Sequence, residues 1–206
     1  MKVLLINGSP HEYGCTYTSL SEVAGELNKE GVETQIIHIG TKPIIGCIDC
    51  KKCVQSGYCV FDKDPVNECI DLGKEADGLV VGSPVYYAAP NGALCSFLDR
   101  MFYCKSKFFA YKPGAAVVNC RRGGASAAFD RLNKSFTISN MPVVSSQYWN
   151  STHGFTPEEV KQDLEGMQTM RTLGKNMAWL MKCIEYAKDV HPHPQKEPQI
   201  MTNFIR

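Results

Sequence analysis

Residues 2–7, K-V-L-L-I-N, form a short apolar run with a polar end that stops at Gly8-Ser9-Pro10. A continuous apolar run of this length is the pattern of a strand covered on both faces. The loop that follows reaches Gly14, and a helix is expected from near Thr16 or Thr18, where Leu20, Val23, Ala24 and Leu27 recur at helical spacing. Gly31 sits where a helix commonly ends, and residues 33–39 read as a second, less buried strand. Strand, helix and strand in this order form the unit of a parallel sheet, which requires helices on both faces. The remainder of the chain must supply them.

The pattern continues as that unit demands. A short helix is expected over 66–74, a buried strand over 76–82 ending in Ser83-Pro84, and a helix over 91–104 with Leu94, Leu98 and Met101 on one face. Residues 113–120 read as a fourth strand, 125–136 as a helix and 142–146 as a fifth strand. A last helix is expected from about Thr156 to Ala187. Its start is well marked, by a capping threonine, Pro157, and the acids Glu158 and Glu159 where the helix dipole favours them. Five strands alternating with helices describe a doubly wound α/β domain over 1–190. Residues 191–206, with three prolines, are a tail expected to wrap the surface or a neighbouring subunit. In such sheets ligands bind beyond the carboxyl ends of the strands. The segments after strands one, three, four and five are therefore the candidates for function.

Composition narrows the class. A formal net charge of +1 over 206 residues gives no reason to expect a nucleic acid or membrane surface as partner. The first strand begins almost at Met1 and no apolar run approaches membrane-spanning length, so a cytoplasmic protein is expected. In that compartment ten cysteines argue for thiols, a metal or a cluster rather than a disulfide framework.

Four of those cysteines lie in one stretch, G-C-I-D-C-K-K-C-V-Q-S-G-Y-C over 46–59. Cys47, Cys50, Cys53 and Cys59 follow the spacing C-x2-C-x2-C-x5-C, inside a segment (40–65) broken by glycines and prolines. A cubane iron–sulfur cluster takes four thiolates, and ferredoxin-type motifs use the same C-x2-C-x2-C run. Structural zinc more often takes two separated pairs. Plain thiols in a loop are the remaining reading. A loop this long in a compact domain is usually functional or disordered.

The loop after strand one, Gly8 to Thr18, holds hydroxyls at Ser9, Thr16 and Thr18 and leads into a helix N-terminus. Unpaired backbone N–H groups and the positive end of the helix dipole suit a phosphate there. The loop has no lysine or arginine and matches neither G-x-G-x-x-G nor the lysine-bearing P-loop.

Three segments in order resemble one family. G-S-P-x3-G-x-T (8–16) resembles the FMN phosphate loop of the flavodoxin-like NAD(P)H-dependent FMN reductases. G-S-P-V-Y-Y-A-A-P-N-G (82–92) resembles their loop against the isoalloxazine ring. The cysteine run between them resembles the compact cluster motif of the iron–sulfur flavoprotein branch. The resemblance implies a flavodoxin-like five-stranded parallel sheet, order 2-1-3-4-5, with the cysteine-rich loop 40–65 inserted after strand two. It implies FMN and a 4Fe-4S cluster, the latter on Cys47, Cys50, Cys53 and Cys59. Ser9, Cys15 and Thr16 would contact the phosphate, with Pro10 and Thr18 close by. Ser83, Pro84, Val85, Tyr86 and Tyr87 would edge the ring, with Asn91 and Gly92 opening the next helix beside it. Two departures stand out: Cys15 occupies a position that is often asparagine, and His11 and Glu12 occupy positions that are often basic.

Arg121, Arg122 and Gly123 follow strand four at the same edge. A cation there would stabilise a reduced flavin, or would clamp the phosphates of NAD(P)H as co-substrate. Ser146 to Asn150 would bring Tyr148 and Trp149 to that edge, and His153 is a candidate proton donor. A flavin and a four-iron cluster together interconvert two-electron and one-electron chemistry. The activity implied is an FMN-dependent oxidoreductase moving electrons between NAD(P)H or ferredoxin and an acceptor, in a homodimer or homotetramer. The alternatives are a cluster-free FMN or quinone reductase, a flavodoxin-type electron carrier, and a zinc-stabilised binding module.

Overall fold

The computed structural model describes residues 1–195, 197, 198, 200–202 and 204. Six strands are present among them: β1 (Lys2–Asn7), β2 (Glu33–His38), β3 (Gly78–Tyr86), β4 (Ala89–Pro90), β5 (Gly114–Cys120) and β6 (Ser151–His153). The helices are α1 (Cys15–Lys29), α2 (Lys52–Ser56), α3 (Val66–Glu75), α4 (Gly92–Lys105), α5 (Ala125–Ile138), α6 (Pro157–Gln162) and α7 (Leu164–Ala187). The parallel sheet runs β2-β1-β3-β5-β6, and β4 pairs antiparallel with the end of β3. The order differs from the expected 2-1-3-4-5 by that two-residue β4, which forms a hairpin with β3 and shifts the numbering of the two strands after it.

Alternate side chains of the strands build two cores. Leu4 and Ile6 of β1, Leu79 and Val81 of β3, and Ala116 and Val118 of β5 face α3, α4 and α5. Val3 and Leu5, Val80, and Ala115 and Val117 face α1 and α7. The period of two explains why these runs are apolar throughout: each residue is buried on one face or the other. Burial of each aliphatic side chain contributes roughly 1.5–3 kcal/mol before entropy is counted.

Three expectations are corrected. Strand three does not stop at Ser83-Pro84 but continues to Tyr86, because β4 supplies a partner for Val85 and Tyr86. The fifth strand is not 142–146. Val143 makes a single parallel bridge to Gly114, and pairing resumes only between Ser151 and Val118. The outer chain thus spends eight residues where β5 spends four, and the excess loops outward. Two side chains stabilise that detour: Asn150 Nδ2 donates to the Ala116 carbonyl (3.0 Å) and Ser146 Oγ to that of Thr169 (2.7 Å). The long C-terminal helix is two helices. Asp163 breaks it, with φ −74° and ψ 80°, and caps α7 by accepting from Gly166 N–H. Thr156 caps α6 as expected, accepting from Glu159 N–H.

Residues 40–65 contain one short helix, α2, in an otherwise irregular path. Of the tail, His193 stacks on Tyr111 at 4.5 Å and the Pro194 carbonyl accepts from the Tyr111 hydroxyl at 2.9 Å. Residues 196, 199, 203, 205 and 206 of that expected wrap lie outside the described residues. Among the described residues no helix is long and apolar enough to cross a membrane.

Candidate functional site

The carboxyl ends of β1, β3, β5 and β6 converge on one edge of the sheet, and the loops expected to bind a ligand meet there. The loop after β1 is fastened from all sides. Gly8 N–H donates to the Gly82 carbonyl at 2.9 Å, and a Cβ on Gly8 would stand 2.9 Å from that same oxygen. Only a glycine lets the loop lie this close to β3. Asn7, fully buried at the end of β1, accepts from Ser9 N–H (3.1 Å) and donates to the Glu12 carbonyl (2.9 Å). Ser9 Oγ accepts from His11 N–H at 3.1 Å, and the Ser9 carbonyl lies 2.8 Å from His38 Nε2 at the end of β2.

Helix α1 begins at Cys15 behind Gly14, which offers no side-chain cap, so the amides of its first turn face the loop without a side-chain acceptor. Thr18 Oγ1 donates to the Gly14 carbonyl at 3.2 Å and has its proton engaged. Thr16 differs: it is 1% exposed and its Oγ1 has no hydrogen-bond partner among the described residues. A buried hydroxyl without a partner is uncommon and costs about 1–3 kcal/mol. A phosphate ester satisfies both it and the open amides, so the residues present fit an FMN phosphate. Burial, with Glu159 and Glu158 nearby, pushes the Cys15 thiol up, leaving a neutral and weak donor at this position. Beneath the loop, Asn119 Nδ2 donates to Thr152 Oγ1 (3.1 Å), which lies 2.7 Å from Ser19 Oγ, itself donating to the Cys15 carbonyl (3.0 Å). This buried relay ties β5 and β6 to the first turn of α1.

The segment after β3 forms the second wall. Ser83 is buried; its Oγ accepts from Asn91 N–H (2.9 Å) and donates to the Pro84 carbonyl (2.8 Å). Asn91 then caps α4 through Ala93 N–H, with Gly92 as the first helical residue. Tyr87 and Ala88 form the hairpin tip with φ of 50° and 59°, a left-handed conformation unusual for side chains of this kind. Pro84 and Val85 are half-buried, Tyr86 is half-exposed and Tyr87 is fully exposed, so neither tyrosine packs into the core. The loop after β5 presses on this hairpin. Gly124 has φ 90°, and a Cβ there would stand 2.8 Å from Ala88 Cα. Arg121, Arg122 and Gly123 are exposed, and among the described residues neither arginine has a carboxylate partner.

Two expectations about this edge change. Ser146 to Asn150 precede β6 instead of following the last strand, so Tyr148 and Trp149 sit exposed on the outward detour. His153 does lie at the carboxyl end of β6, but its Nδ1 is 3.4 Å from Asp163, the residue that caps α7.

The cysteine segment packs against α4. Cys47, Cys50, Cys53 and Cys59 line one pocket, partly open to solvent, together with Arg100, Tyr103 and Cys104. Asp49 and Lys51, flanking Cys50, have φ of 53° and 60° and curl the backbone tightly. Their side chains pair with each other and with the Tyr103 hydroxyl, which fastens this curl to α4. Asn67 brackets Cys59 with two 2.9 Å bonds to its N–H and carbonyl. Among the described residues no three His, Cys, Asp or Glu side chains stand at metal-ligand geometry. The donor set itself, four thiols around one pocket, fits an iron–sulfur cluster.

Several residues here were not singled out by the sequence: Asn7, His38, Asn119, Thr152, Asp64, Arg100 and Cys104. Asn7 and Asn119 carried a signal, a polar residue at the end of an otherwise apolar strand. Arg100 also did, being charged and one turn from both Phe97 and Cys104.

The family described as NADPH-dependent FMN reductase matches residues 1–156. An iron-sulfur flavoprotein of Methanocaldococcus jannaschii is 34% identical over 193 residues, 90% of this chain and 100% of the relative. An iron-sulfur flavoprotein of Methanosarcina thermophila is 30% identical over 196 residues, 92% of this chain and 100% of the relative. Among solved structures, a flavodoxin from the domain Archaea superposes with a TM-score of 0.60 at 17% identity, covering 88% of this chain and 99% of its own; that likeness concerns the fold.

Proposed function

Since the chain belongs to the NADPH-dependent FMN reductase family and is a flavin-dependent oxidoreductase, we propose that it passes electrons from NAD(P)H or ferredoxin to an acceptor through FMN and a 4Fe-4S cluster. The observation that carries this reading is the gathering of Cys47, Cys50, Cys53 and Cys59 around one pocket against α4 of the flavin domain. The names of the two relatives, both iron-sulfur flavoproteins, support it.

Bound FMN exchanges electrons in pairs or singly and a cluster exchanges them singly, which is the chemistry the two groups supply. The chain's own part is binding and positioning. Ser9, Thr16 and the amides of the first turn of α1 hold the phosphate, beside Pro10, Cys15 and Thr18. Ser83 to Tyr87 border the ring, with Asn91 and Gly92 fixing where α4 begins. Arg121 and Arg122, exposed and without carboxylate partners among the described residues, supply positive charge next to Gly123 for a reduced flavin or an incoming dinucleotide phosphate. Residues 1–190 act as one domain in the cytoplasm, assembled as a homodimer or homotetramer in which exposed Tyr86, Tyr87, Tyr148 and Trp149 are covered.

A second reading is a cluster-free FMN or quinone reductase. It is favoured by the lack, among the described residues, of side chains at metal-ligand geometry. Anaerobic purification with an absorbance spectrum and counts of iron, sulfide and flavin separates the two. Four irons and one FMN per chain support the first reading. Flavin without iron, after anaerobic reconstitution, selects the second. No flavin after reconstitution with FMN overturns both.

A further inference from the structure

Arg100 is 1% exposed, on the inward face of α4. Its donors are shared among four partners, all in or beside the cysteine segment. Nε donates to Cys59 Sγ at 3.1 Å. Nη1 donates to the Ile45 carbonyl at 3.2 Å and to the Asp64 carboxylate. Nη2 donates to the Phe61 carbonyl at 2.8 Å, and the Phe61 ring stands 5.3 Å from the guanidinium carbon. Ile45 lies two residues before the first motif cysteine, and Phe61 and Asp64 lie just after the last. One side chain therefore fastens both ends of the segment to α4 and also touches one of the four sulfurs.

We propose that Arg100 is the positioning residue of the cysteine centre. It folds residues 45–64 onto α4 independently of any bound group, and its N–H on Cys59 sulfur makes the centre held there easier to reduce. The second half rests on the cluster reading above; the first half does not. A cluster on four thiolates is anionic and gains a further negative charge on reduction. A hydrogen bond to a ligand sulfur favours the more negative state and raises the potential. Asp64 balances the guanidinium charge, so the effect comes through the donor aimed at sulfur and not through net charge. The same fork explains why arginine and not lysine stands here: a lysine cannot reach two carbonyls, a carboxylate and a sulfur at once.

Two arms on the full chain test this. The variants are Arg100→Lys and the double variant Arg100→Met with Asp64→Leu, which avoids leaving a buried carboxylate unpaired. In the first arm, hydrogen exchange is followed in the iron-free protein. Exchange over 45–64 is expected to rise about tenfold or more in the double variant, while β1, β3 and α1 stay protected. Unchanged exchange over 45–64 overturns the positioning role. In the second arm the protein is reconstituted anaerobically with iron and sulfide. The Arg100→Lys protein is expected to have a more negative midpoint potential and to lose iron faster to a chelator than the parent. An unchanged potential with unchanged iron retention overturns the tuning role. A parent protein that takes up no iron overturns the tuning role together with the cluster reading, and the exchange arm still decides the first half.

Discussion

His38 Nε2 lies 2.8 Å from the carbonyl oxygen of Ser9, so the end of β2 supports the phosphate loop from outside. The contact places the ring proton on Nε2, because the carbonyl only accepts. It fixes a peptide near the start of the loop, which is also anchored by Asn7 at the end of β1 and by Gly8 N–H on the Gly82 carbonyl of β3. His38→Ala removes one hydrogen bond, worth about 0.5–1.5 kcal/mol. Apoprotein titrated with FMN, followed by flavin fluorescence, is expected to bind roughly 2- to 10-fold more weakly. An unchanged dissociation constant would mean that Asn7 and Gly8 suffice to hold the loop.

Thr16→Val separates the phosphate role from any structural one. The Thr16 hydroxyl is buried and without a partner among the described residues, so an isosteric valine removes a polar atom the apoprotein does not use. Apoprotein melting is expected to be unchanged or slightly raised. FMN affinity is expected to fall by about 1.5–3 kcal/mol, the worth of a hydrogen bond to a charged group. Riboflavin, which lacks the phosphate, is expected to bind parent and variant alike. A parallel loss of riboflavin binding would show that the change acts through packing.

How much of this was legible beforehand follows from which forces act locally. The βαβ unit and the hydroxyls of the first loop were readable, because Val3 to Ile6 and Leu20 to Leu27 obey periods set by the backbone alone. The fifth strand was not. Val143 and Val144 look like strand residues, yet Asn150 and Ser146 draw the chain out of register through partners on β5 and α7 that are distant in sequence. The break at Asp163 was missed because it caps α7 from within a helical pattern. In the cysteine segment the four sulfurs were legible by spacing. The charge of Arg100 within α4 was visible, but its role was not, since its partners lie between 36 and 55 residues away.

Lys112 offers a control at the opposite edge of the sheet. From its place just before β5, its half-buried Nζ donates to the carbonyls of Gly73 (3.0 Å), Lys74 (2.9 Å) and Ala76 (2.6 Å), closing the end of α3. A cation at a helix C-terminus also meets the negative end of the dipole. Lys112→Met leaves those acceptors unpaired and is expected to lower unfolding free energy by about 1–3 kcal/mol in urea. FMN affinity of the folded fraction is expected to be unchanged, because the ligand edge lies at the other end of β5. A loss of affinity equal to that of Thr16→Val would contradict this separation.

Thiol reactivity distinguishes the cysteines by environment. Cys47, Cys50 and Cys183 are exposed. Burial pushes the Cys69 thiol up to about 12. Burial first, and then Cys53 beside it, push the Cys104 thiol up to about 12 as well. Alkylation requires the thiolate, so at pH 8 both stay protonated, and Cys69 is also buried. In anaerobic, iron-free protein, brief iodoacetamide treatment with peptide mass mapping is expected to label Cys47, Cys50 and Cys183 and to leave Cys69 and Cys104 free. After reconstitution with iron and sulfide, Cys183 is expected to react as before while Cys47 and Cys50 become protected. If they react equally in both preparations, the pocket holds no group on their sulfurs. If Cys104 is labelled as fast as Cys183, the cysteine segment opens away from α4 in solution, against the contacts made by Arg100 and Tyr103.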